Sequence, residues 1–140
     1  MNALFPSMTP EQARLLSPLT LAFVGDSVHT LLTRQELCCP ERTPDALHRL
    51  ATAQVKASAQ AESLVRILPL LSSEENEIVR RGRNAHTHHG VPRHASPGDY
   101  SQSTALEALY GYLYLTGRYE RLRVLNEAGR QKEDLCPKAD

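Results

Sequence analysis

Two acids in the chain have nothing nearby to balance their charge. Asp26 is the only acid or base among residues 19–33, His29 counted as neutral, and Glu107 is the only one among residues 100–115. On a helix, the natural partner of an acid sits three or four positions away. Those positions around Asp26 hold Ala22, Phe23, His29 and Thr30, and around Glu107 they hold Ser103, Thr104, Tyr110 and Gly111. Burying an unpaired carboxylate among apolar helices costs on the order of several kcal/mol, so each acid needs a partner from elsewhere. Three readings stay open: one divalent cation gripped by both acids, an ion pair with a distant arginine, or a helix rim wet enough to solvate them. The first carries chemistry, because a divalent ion held against a phosphodiester activates water and steadies a leaving oxygen. Glycine accompanies both acids, Gly25 directly before Asp26 and Gly111 one turn after Glu107. A helical glycine costs about 1 kcal/mol relative to alanine, which marks close packing or room for a ligand, and packing is the simpler reading of either one alone.

A second group of candidates is basic. Between Ile78 and His94 the chain carries Arg80, Arg81, Arg83 and Arg93, together with His86, His88, His89 and His94, and no acid. The whole chain has 16 basic and 16 acidic residues and zero formal charge, which excludes a protein that clings to nucleic acid by bulk electrostatics. Any such contact must be local, and these arginines, with Lys56, are the candidates for phosphate contacts; a merely solvated helix end is the other reading. The histidines invite a zinc reading, but no cysteine or acid stands beside them at ligand spacing, so a solvated or nucleic-acid-facing loop is expected. His29 lies one turn after Asp26 and is read either as orienting it or as a packed core residue. His48 is read as structural, and Tyr110, Tyr112 and Tyr114 as packing residues rather than base stackers.

Positioning these residues requires helices. The composition, 41% hydrophobic and 23% charged with no tryptophan, is that of an ordinary globular domain, and no segment shows sustained alternation of period two. Ser/Thr-Pro pairs punctuate the chain. Thr9-Pro10-Glu11-Gln12 has the spacing of a capping box and opens a short first helix. Ser17-Pro18 opens a second helix, running to about residue 36, with Leu21, Val24, Val28 and Leu31/Leu32 at helical period. Thr43-Pro44 starts a long third stretch to about residue 69, with a break expected near residues 51–53. Ser72 or Ser73 caps a fourth helix ending near Gly82, and residues 84–98 read as a loop because of Gly90, Pro92, Pro97 and Gly98. A fifth, nearly all-apolar helix spans about residues 100–116 and closes at Gly117, followed by an amphipathic helix at 118–128. An all-α bundle is predicted, with one domain over residues 1–130 and a polar, mobile tail at 131–140. Cys38, Cys39 and Cys136 form neither a disulfide framework nor a zinc spacing and are read as reduced thiols. Neither a membrane-length apolar run nor a secretory leader is visible, which makes the cytoplasm the default address.

The segment Leu21-Ala22-Phe23-Val24-Gly25-Asp26-Ser27-Val28 resembles the Glu-Phe-Leu-Gly-Asp-Ser-Val run of ribonuclease III catalytic domains. Thr104-Ala105-Leu106-Glu107-Ala108-Leu109-Tyr110-Gly111 is similar to the second acidic helix of that family. Leu47-His48-Arg49-Leu50-Ala51-Thr52 and Arg81-Gly82-Arg83-Asn84-Ala85 resemble motifs of its short Mini-III branch. Together they cover about residues 15–125. Long family members carry a glutamate where this chain has Ala22 and an aspartate where it has Thr104; the Mini-III branch shares this reduction and lacks a separate double-stranded-RNA-binding domain. The resemblance implies a helical, homodimeric endonuclease for double-stranded RNA, working in the maturation of 23S ribosomal RNA precursor. Asp26 and Glu107 would hold Mg2+, for which Mn2+ substitutes, and His29 and Thr104 would lie just behind them. Two other readings compete: a catalytically silent relative that binds structured RNA or ribosomes, and a helical interaction module with no RNA role.

Overall fold

The computed structural model describes residues 7–85 and 96–130, and these form seven α-helices and a short 3-10 turn with no strand among them. The all-α expectation holds. The helices are α1 (Pro10–Arg14), α2 (Pro18–Leu37), α3 (Pro44–Val55), α4 (Ala57–Ile67), α5 (Ser73–Arg83), α6 (Pro97–Leu115) and α7 (Tyr119–Gly129). Their starts follow local chemistry. Thr9 and Ser72 form reciprocal capping boxes with Gln12 and Glu75, while Ser17, Thr43 and Ser96 accept hydrogen bonds from the first turns of the Pro-led helices α2, α3 and α6.

Helix α6 is the axis of the fold. Residues 103–106 and 108–113 are all buried, and α2, α4, α5 and α7 pack around it. A helix apolar on nearly every side is stable only when other helices cover each side. Leu21 and Val28 of α2, Leu64 and Ile67 of α4, Ile78 and Val79 of α5 and Leu122 and Leu125 of α7 supply that cover. Helix α3 stands outside this ring, against α2 and α4.

Three expectations need correction. The long third stretch breaks at Lys56, not near residues 51–53, and Lys56 adopts an extended backbone (φ −66°, ψ 154°). Gln60 seals the break: its side-chain amide donates to the Val55 carbonyl at 2.8 Å and its backbone N–H to the Lys56 carbonyl at 3.1 Å. The loop expected to reach residue 98 ends earlier, because Ser96-Pro97 repeats the cap-and-proline start used at Ser17-Pro18 and carries α6 through Gly98. Cys39 is disulfide-bonded and not reduced, which cysteine spacing did not signal. The readings of Cys136, of the tail at 131–140, and of Arg93, His86, His88, His89 and His94 fall outside the described residues. Among the described residues no helix is long and apolar enough to cross a membrane.

Candidate active site

Asp26 and Glu107 meet where α2 crosses α6, and glycine makes the crossing close. A methyl group at Gly25 would lie 1.6 Å from the Glu107 carbonyl oxygen, and one at Gly111 would lie 1.9 Å from the Leu21 carbonyl oxygen. Each helix therefore presents a bare backbone to the other. The two antiparallel backbones touch, and the acids flanking the contact are brought side by side. Close packing and a shared acidic site are one feature here.

The electrostatics fit this placement. The Glu107 carboxyl is half-buried and pushed up to about 8, first by burial, then by a hydrogen bond with Asp26 and by the Asp26 charge. Asp26 stands exposed on the solvent side. Two carboxyls close enough to share a proton, with no base to relieve them, behave this way. Among the described residues no salt bridge involves either acid. The distant-arginine reading thus finds no support. Among the described residues, no positive side chain is paired with the acids on their exposed side.

The donors suit a hard divalent ion. Two carboxylates are oxygen ligands of the type Mg2+ and Mn2+ take, and among the described residues no cluster of three His, Cys, Asp or Glu side chains is built to hold a metal. An ion there would keep most of its coordination for water and substrate oxygens.

The other sequence candidates fall into two groups. His29 is close to Asp26 and Thr104 close to Glu107, but both face inward. The Thr104 hydroxyl donates to the Tyr100 carbonyl at 3.0 Å. The His29 ring sits 5.4 Å from that of Tyr110 and is pulled down to about 4 by burial, with the Asp26 charge opposing. It is neutral at physiological pH. The arginines on α5 are partly engaged inside the chain. Arg80 forks onto Glu77 at 2.9 and 2.5 Å, Arg81 donates to the Leu16 carbonyl at 3.1 Å, and Arg83 donates to the Gln102 side chain at 3.0 Å. Arg81 and Arg83 keep their net charge, because their acceptors are neutral. Lys56 is exposed, with no ion pair among the described residues.

Sequence reasoning passed over a polar chain linking α2, α6 and α7. The Tyr110 hydroxyl donates to Asn126 Oδ1 at 2.7 Å, Asn126 Nδ2 donates to Glu36, and Arg130 pairs with the same Glu36 oxygen at 3.1 Å. It also passed over Glu75, which α7 holds through Arg121 at 2.7 and 2.8 Å. No local spacing signals partners this far apart in the chain.

The ribonuclease III domain model matches residues 19–118, a span that contains both acids and the crossing that joins them. The chain belongs to the ribonuclease III family. The activity that goes with this membership is endonucleolytic cutting of RNA. The family member from Thermoanaerobacter sp. (strain X514) named Mini-ribonuclease 3 is 45% identical over 125 residues, spanning 89% of this chain and 87% of its own. A Mini-ribonuclease 3 from Symbiobacterium thermophilum is 46% identical over 116 residues, spanning 81% and 87%. The crystal structure of a Fusobacterium nucleatum protein superposes with a TM-score of 0.74 at 30% identity, covering 81% of this chain and 91% of that one. The resemblance read from short motifs thus extends to the whole ribonuclease III fold.

Proposed function

We propose that this ribonuclease III domain cuts double-stranded RNA with a divalent ion held by Asp26 and Glu107, Mg2+ in the cell with Mn2+ able to substitute. The observation that carries the proposal is the Gly25–Gly111 crossing, which sets two carboxylates side by side with no salt-bridged cation among the described residues. Such an ion supplies an activated water and charge relief at the scissile phosphate. The protein's part is to fix and orient. Asp26, exposed, meets solvent and substrate first. Glu107, set deeper, is held by the α2–α6 contact and would hold the ion in its ionised form. His29 and Thr104 stiffen the wall behind the acids.

Double-stranded RNA is recognised by its shape, phosphates and 2′-hydroxyls, which suits a small surface without a stacking platform. Arg80, Arg81, Arg83, Arg93 and Lys56 are assigned to phosphate contact. A homodimer would supply two such sites for two strands. Its support is the exposed apolar pair Phe23 and Leu31 on α2, 79% and 65% exposed, which bracket the Asp26–Ser27 segment. Residues 1–130 would act as one catalytic domain, and the likeness to the Mini-III branch supports 23S ribosomal RNA precursor as the natural substrate in the cytoplasm.

A duplex-cleavage assay with and without Mg2+ tests the proposal. Cleavage should require the ion, and Asp26→Asn or Glu107→Gln should lower turnover at least about 100-fold, with the helical signal retained. Undiminished cutting by either variant, or cutting in chelator, would remove the proposed chemistry.

A further inference from the structure

One turn beyond each carboxylate, α2 and α6 help wall an open-mouthed cavity of about 290 Å³, the rest of whose lining comes from α3, α4, α7 and the residues at their ends. Of its lining, the proposed cleavage reading uses only His29, behind the acids, and Lys56, for phosphate contact. His29 lines it and is only 6% exposed, and its Nδ1, shut off from the cavity's open space, has no hydrogen-bond partner among the described residues. Whichever ring nitrogen carries the proton, a buried imidazole atom without a partner is rare in a settled core. Tyr110 stands beside His29, so one wall is aromatic, and its hydroxyl is already committed to Asn126.

The remaining lining includes the hydroxyls of Thr33, Ser58 and Ser63, able to donate and accept, beside Ala53, Ala59 and Gly129. The charges on the lining do not cancel. Arg130 is matched by Glu36, and Arg66 by Glu62, while Lys56 has no ion pair among the described residues. An aromatic wall, mixed hydrogen-bonding groups and one spare cation suit a flat polar heterocycle that carries an anion. The volume sits near the lower end of small-ligand pockets, about 300 Å³. A single nucleotide meets all of these conditions.

We propose that this cavity is a mononucleotide-binding pocket, in which the base lies against the His29 and Tyr110 wall, the neighbouring hydroxyl groups hydrogen-bond it and Lys56 meets the phosphate. The inference rests on the RNA-cutting reading for the origin of its ligand, which is either an unpaired nucleotide at a strand end or a free nucleoside monophosphate. The two share one chemistry.

The test uses the full chain in chelator, where no cutting occurs, and follows the His29 imidazole signals by NMR. Each of the four nucleoside 5′-monophosphates is added in turn, and then a blunt duplex and one with a two-nucleotide 3′ overhang. Saturable movement of the His29 signals is expected, and Lys56→Ala should weaken the binding about tenfold, as loss of one charge-assisted contact would. Movement with monophosphates alone identifies a free nucleotide as the occupant; stronger movement with the overhang than with the blunt end identifies a strand end. Signals that stay put with every probe, or that respond alike to both duplexes and to no monophosphate, overturn the pocket. Duplex cleavage that persists in that case leaves the proposed activity standing. Monophosphate binding in a chain that cuts nothing would leave the pocket and remove the activity.

Discussion

Gly25→Ala separates two contributions of opposite sign. In an exposed helix this change stabilises by about 1 kcal/mol, because glycine is the poorer helix former. At the α2–α6 crossing the added carbon would lie 1.6 Å from the Glu107 carbonyl oxygen, 2.5 Å from its carbon and 2.8 Å from the Gly111 nitrogen. All three are backbone atoms, so no side chain can turn away to relieve the clash. Ordinary contact needs roughly 3.4 Å, and α2 must therefore retreat by more than about 1.5 Å. Overpacking of this kind costs about 1–3 kcal/mol where side chains can adjust, and the upper end applies to a backbone contact. A net loss of about 2 kcal/mol is expected, read as a lower urea midpoint at unchanged slope. Because the same contact aligns the acids, duplex cleavage should fall more than the stability loss explains at a temperature where the variant is fully folded. A variant more stable than the parent, or one that cuts at the parental rate, would refute the claim that this crossing builds the site.

Two further outcomes follow from the same geometry. Glu107 titrates near 4.5 in an unfolded chain and near 8 in the folded one, so its contribution to stability is complete below the lower value and is lost as pH rises through the upper. The full shift corresponds to about 5 kcal/mol, which solvent at the exposed Asp26 side reduces to about 2 kcal/mol. In metal-free urea unfolding, Glu107→Gln should gain about that much on the parent between about pH 5 and about pH 9, and parallel pH profiles would contradict the shared-proton pair. For the basic residues, Lys56→Ala should lower the salt slope of duplex binding by about one with stability unchanged, whereas Arg81→Gln should also cost about 1 kcal/mol of stability through its lost bond to Leu16. Slopes equal to the parent's would place neither side chain on the RNA.

Much of the helical layout was legible because its signals are local. Thr9, Ser17, Thr43 and Ser72 announce helix starts within four residues, and a solitary acid on an apolar helix announces an unmet charge. Signals with distant causes were not legible. The break at Lys56 depends on Gln60 turning back to Val55, which neither glycine nor proline marks. The start of α6 was hidden because Gly98 weakens a segment that Ser96-Pro97 caps. The internal bonds of Arg81 and Arg83 reach Leu16 and Gln102, residues 65 and 19 positions away, so only the packed chain shows that these cations are partly committed. The Tyr110–Asn126–Glu36 chain was missed for the same reason. Each glycine beside an acid admitted a packing reading and a site reading, and the crossing shows the packing, with the two acids brought together by it.

The central claim is that Glu107 keeps its proton beside Asp26 when no metal is bound, and that a divalent ion between the two acids would displace it. Carbon-13 NMR of the Glu107 side-chain carboxyl, titrated with and without saturating Mg2+, reads this directly. The account predicts a midpoint near 8 in chelator, falling by more than about one unit when the ion is present. An ordinary carboxylate midpoint that Mg2+ leaves unmoved would contradict it.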